Sequence, residues 1–102
     1  MDHPECTEEY DGTNPCHLTP RSSTYPDRPH EGEEFGYVLQ GVIHIHLGQR
    51  VYTAKKGETF YFAPNCEHSI SAGKKDWCKI YLGKHTTQFL IILIVFMYKT
   101  SI

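Results

Sequence analysis

FGYVLQGVIHIHLGQRVYTAKKGETFYF, Phe35 to Phe62, is the stretch whose reading decides the fold. Its centre, Val42-Ile43-His44-Ile45-His46-Leu47, alternates apolar and polar residues with period two. That period belongs to a strand with one buried and one wetter face. Ile43, Ile45 and Leu47 take one face, and His44 and His46 take the other. Gly48-Gln49-Arg50 reads as a turn, Val51 to Ala54 as the next strand, and Lys56-Gly57-Glu58 as another turn. Thr59 to Phe62 is strand again. Upstream, Phe35 to Leu39 is a strand bounded by Gly41.

The same rhythm continues outward. Pro64-Asn65 stops the strand at Phe62. His68 to Ala72 and Trp77 to Leu82 follow, separated by Gly73-Lys74-Lys75-Asp76. Short strands recurring every eight to twelve residues or so, with turn signals between them, predict an all-β sandwich or barrel. Residues 1–25 form an irregular arm, punctuated by Pro4, Pro15 and Pro20, in which Cys16-His17-Leu18 is placed to pair at a sheet edge. Residues 26–88 form the barrel. Residues 89–102 hold FLIILIVFMY, an apolar run from Phe89 to Tyr98. A membrane span takes about twenty such residues, so this run is predicted as a buried strand or interface segment rather than a span.

Composition narrows the function classes. The chain has 102 residues, enough for one small domain. Its formal charge is −2, with Lys and Arg scattered, so direct nucleic-acid binding by this chain is not expected. The acidic, polar start MDHPECTEEYDG lacks a basic region followed by an apolar stretch, which makes cytoplasmic residence the expectation. In that compartment Cys6, Cys16, Cys66 and Cys78 read as free thiols. None of them forms the close pair of a zinc knuckle.

Two blocks carry chemistry. The first is Arg28-Pro29-His30-Glu31-Gly32-Glu33-Glu34-Phe35, closed by Gly41. The second runs from Gly57 through Pro64 to His68. They resemble the two motifs of the cupin superfamily, with His30, Glu34 and Gly41 matching the first and Gly57, Pro64 and His68 the second. The family's first histidine is replaced by Arg28, an inner glycine by Asn65 and an asparagine by Ala72. Within the superfamily, HEGEEFGYVLQG and the strands after it look like the C-terminal sensor domain of bacterial helix-turn-helix regulators, without the DNA-binding domain. The resemblance implies a cupin-type double-stranded β-helix, or jelly-roll barrel, that forms a homodimer.

It also implies a metal set. Two imidazoles and one carboxylate, from His30, His68 and Glu34, suit Fe(II), and also Ni, Mn or Zn. Burying Glu34 with neither metal nor partner would be costly. Arg28 cannot ligate a cation, because guanidinium stays protonated and has no acceptor. A second reading is therefore a metal-free pocket, in which Arg28 grips a carboxylate or phosphate bidentately and Tyr61 and Phe62 contact the ligand. Function follows the same fork. One branch is a cupin that binds a small molecule, similar to a regulator's sensor domain. The other is a metal-dependent enzyme, a dioxygenase or isomerase, acting on a small organic acid or sugar. His44 and His46, opposite the apolar face of their strand, read as surface or interface residues.

Overall fold

The computed structural model describes residues 5–6, 14–24, 28–29, 33–63, 65–83 and 94. Seven strands follow in order: β1 (Cys16–Leu18), β2 (Glu34–Gln40), β3 (Val42–Leu47), β4 (Arg50–Lys55), β5 (Thr59–Phe62), β6 (His68–Ala72) and β7 (Cys78–Gly83). They form a four-stranded sheet in the order β1-β7-β2-β5 and a three-stranded sheet in the order β4-β3-β6. All their ladders are antiparallel.

Register sorts the side chains. In the first sheet Leu18 lies opposite Cys78, Val38 opposite Ile80, and Gly36 opposite both Phe60 and Leu82. In the second, Ile43 lies opposite Ala54 and Ala72, and Ile45 opposite Ile70. These inward residues pack into one apolar cluster between the sheets. Gly36 has a packing reason: a methyl group there would collide with the Phe60 ring and the Tyr81 carbonyl.

The all-β expectation holds, as two antiparallel sheets that are not closed into a barrel among the described residues. Neither sheet closes on itself, and among the described residues no ladder joins β4 to β5. The chain instead passes from one sheet to the other at tight corners. At the β2–β3 corner, Gly41 has φ +84°, a conformation that L side chains avoid. At the β4–β5 corner, Gly57 has φ +88° and the Glu58 amide donates to the Lys55 carbonyl at 2.9 Å. That is a type II turn, with glycine where the positive φ is required. Strand limits shift slightly from the reading above: β4 extends to Arg50 and Lys55, and β7 starts at Cys78, leaving Trp77 outside the ladder.

Two sheet edges are covered by the arm. The Thr24 amide donates to the Ile70 carbonyl, the Ala72 amide to the Ser22 carbonyl, and the Ile70 amide to the Thr24 hydroxyl, so Ser22 to Thr24 line the edge of β6. Cys16–Leu18 pairs at the other sheet's edge, as expected, and Glu5 bridges to His17 beyond it. The apolar run 89–98 lies outside the described residues apart from Ile94. That residue is helical and 64% exposed.

The cysteine expectation is overturned in half. Cys6 and Cys16 are joined in a disulfide with their Cα atoms 5.0 Å apart, while Cys66 and Cys78 are free. The pairing follows from residues 5–6 lying beside β1, with the Cys6 amide donating to the His17 carbonyl, which no spacing rule reveals. Disulfides of this kind belong to oxidising compartments, in tension with the cytoplasmic expectation. No described helix is long and apolar enough to cross a membrane. Closing a loop of this length stabilises by roughly 2–3 kcal/mol in the chain-entropy model. Urea unfolding with and without reductant is expected to differ by that amount; coincident curves would show that the bond contributes nothing.

Candidate functional site

The two acid–base residues singled out in the sequence meet across the sandwich. Glu34 begins β2 on its inner face, opposite Phe62. His68 begins β6 on its inner face, opposite Leu47. The sheets lay these strand ends over one another, and Glu34 Oε2 contacts His68 Nε2. Both residues are buried, with 2% and 4% of their surface exposed. Among the described residues they are the buried charged or polar ones in an otherwise apolar set.

The tautomer of His68 can be argued from its other nitrogen. Nδ1 lies 2.8 Å from the Cys66 carbonyl oxygen. A carbonyl only accepts, so Nδ1 carries a proton and donates it. In the neutral ring Nε2 then presents its lone pair, and that lone pair faces a carboxylate oxygen. Two acceptors cannot sit together in a dry interior unless a cation lies between them. The cation is either one proton shared by the pair or a metal ion. The edge of Phe62 stands against the imidazole, with ring centroids 5.5 Å apart and planes at 67°.

The remaining predicted site residues divide. Phe62 reaches the pair. Tyr61, its chain neighbour, lies on the opposite face of β5 and is 61% exposed. Its hydroxyl hydrogen-bonds Glu33, which raises its proton affinity above that of an ordinary tyrosine. Arg28 is exposed rather than inside the sandwich. His30 and Pro64 lie outside the described residues. Among the described residues no three His, Cys, Asp or Glu side chains converge as a metal set. His44 and His46 project from the outer face of β3. Each shares a hydrogen bond with a hydroxyl of a neighbouring strand, Thr53 at 3.3 Å and Ser71 at 2.8 Å.

Two contributors escaped the sequence reading. The Cys66 carbonyl orients the imidazole, and as a backbone group it leaves no residue-type signal. Tyr52 belongs to a cavity of about 460 Å³ that opens between β4 and β5 and reaches Phe62 and Leu47. These are the residues opposite Glu34 and His68 in the two ladders, so the cavity ends beside the pair. The period-two pattern of β4 did contain a signal: Tyr52 shares the inward face with Ala54.

The family described as "Cupin domain" matches residues 16–82. No curated protein matches the chain. Among solved structures, it is similar to a cupin-2 domain containing protein from Shewanella frigidimarina, with TM-score 0.54 and 15% identity over 70% of this chain and 67% of that one. It is also similar to an HTH_3 family transcriptional regulator from Vibrio cholerae, with TM-score 0.58 and 17% identity over 67% of this chain and 38% of that one. The polyketide cyclase RemF from Streptomyces resistomycificus gives TM-score 0.54 and 28% identity over 65% of this chain and 46% of that one. The chain thus spans about two thirds of the first and under half of the other two.

Proposed function

This chain belongs to the cupin domain family, and on that premise we propose that it binds a small organic molecule between its sheets, beside a divalent cation. The observation that carries the reading is the buried Glu34–His68 pair, whose imidazole is held in the Nδ1–H tautomer by the Cys66 carbonyl. Metal-ligating histidines commonly donate their second ring N–H to a carbonyl or carboxylate, which fixes the ring and raises its basicity. His68 has that arrangement already. His30, Glu34 and His68 would hold the cation, and Fe, Ni, Mn or Zn suit this donor set. A bound cation would polarise an oxygen atom of the ligand. The exposure of Arg28 supports the reading, because a solvated guanidinium is screened from the interior.

The likeness to the Vibrio cholerae regulator supports a sensor role, with output supplied by a separate partner. The enzyme reading draws on a different observation. A carboxylate and an imidazole of defined tautomer at the end of a cavity can accept and return a proton, and RemF is by name a cyclase. Fold alone does not choose between them.

Metal content tests the shared premise. Protein incubated with Mn(II) or Zn(II) and then desalted is expected to retain stoichiometric metal, and His30→Ala, Glu34→Gln and His68→Ala are expected to lose it. A wild-type protein that emerges metal-free, or folded variants that retain as much metal as it does, would remove the cation from the proposal.

A further inference from the structure

We infer that the opening between β4 and β5 is the entrance of the binding site, and that it admits a flat, uncharged aromatic molecule rather than an organic acid or a sugar. The inference rests on the small-molecule reading above and narrows its ligand class.

The cavity there measures about 460 Å³, within the range of small-molecule sites. One wall is Ile45, Leu47 and Ala54 from the second sheet; the other is Phe60 and Phe62 from the first, with Tyr52 among the lining residues. Among the described residues, no charged side chain and no histidine lines it. An organic acid crossing this space would give up its hydration with no charged side chain among the described wall residues to receive it. A sugar would bring many hydroxyls against a surface whose polar side chains are a few threonine and tyrosine hydroxyls, leaving most of its own unpaired. An aromatic ring loses neither. Phe60 and Phe62 stand with centroids 6.5 Å apart and planes 19° from parallel, a pair of rings along one strand face. Such rings favour offset or edge contacts with another aromatic system.

The opening is consistent with entry. β4 pairs with β3 and β5 with β2, and among the described strands no ladder seals the gap between them. Tyr52 is 46% exposed, and its hydroxyl is hydrogen-bonded to the Arg50 guanidinium. Arg50 itself lies outside the cavity lining. At the inner end, Phe62 touches His68.

The test uses 2-naphthol, followed by its intrinsic fluorescence, with succinate and glucose as the alternatives. Naphthol is expected to bind saturably and raise Tm, while succinate and glucose do neither. Ala54→Trp, which fills the cavity, and Tyr52→Ala, which removes an exposed part of its lining, are each expected to weaken naphthol binding by about tenfold, the scale of one aromatic contact with its buried area. Val42→Ala, on the outer face of the second sheet, is expected to leave it unchanged. Circular dichroism establishes whether each variant folds, and Tyr52→Ala decides if Ala54→Trp does not. Succinate or glucose binding as tightly as naphthol, no naphthol binding at all, or folded variants that bind naphthol as the wild type does would each overturn the inference. Zn(II) uptake measured on the same samples separates the two proposals. Metal retained without naphthol binding sinks only the ligand class, whereas naphthol bound by metal-free protein sinks the cation and leaves the entrance standing.

Discussion

His68→Ala is expected to lower the free energy of unfolding by about 3–5 kcal/mol, the usual consequence of removing one member of a buried ion pair. The reason is the residue left behind more than the residue removed. Glu34 stays on the inner face of β2, and its carboxylate loses the imidazole that now contacts it. A domain of this size has about 5–15 kcal/mol in total, so the variant is expected to retain only part of it. Thermal melting reports the same loss, at about 4–8 °C per kcal/mol. The double variant Glu34→Met/His68→Phe is expected to recover most of the stability or exceed the wild type, because apolar residues of similar volume often replace a buried pair at no cost. It would nevertheless bind no metal. A His68→Ala protein as stable as the wild type would mean that Glu34 is already solvated, and the buried pair would cease to be a basis for function.

The second large effect belongs to Gly41. A Cβ at this position would sit 2.8 Å from the Trp77 carbonyl oxygen and 2.9 Å from Cys78 Sγ. The carbonyl is backbone and cannot turn away. Cys78 is fixed as well: its buried thiol donates to the Val42 carbonyl at 3.0 Å. Positive φ adds its own penalty. Gly41→Ala is expected to cost about 2–5 kcal/mol, combining left-handed strain with overpacking. Gly57→Ala separates the two effects, because Gly57 has φ +88° but nothing within 4 Å of its Cβ position. Strain alone is expected to cost about 1–2 kcal/mol there. Equal losses in urea titrations of the two variants would show that the β2–β3 corner relaxes freely.

The legible parts of the fold were those set by local alternation. β3, β5 and β6 begin and end where period two begins and ends. Closure was not legible, because it depends on whether β4 and β5 meet, a long-range matter that neither strand encodes alone. The Glu34–His68 encounter was readable only by combining the face of each strand with the family-like spacing. The alternation that puts Phe60 and Phe62 inside puts Tyr61 on the exposed face of β5, where it is nevertheless among the residues lining the cavity mouth. Arg28 sits in a stretch without periodicity, so nothing assigned it a direction. The Cys6–Cys16 bond depends on residues 5–6 lying beside β1, a long-range placement, and composition pointed the other way.

The uncovered side of β4 has a consequence for self-assembly. One row of its backbone amides and carbonyls pairs with β3, and among the described strands no other ladder uses the opposite row. A bare row of that kind can seed polymer growth by recruiting an identical strand. Arg50 and Lys55 stand at its two ends. A second copy arriving antiparallel and in full overlap would set each arginine against the neighbour's lysine, like charge on like. The side left open for a visitor is thus poorly suited to propagating a fibril.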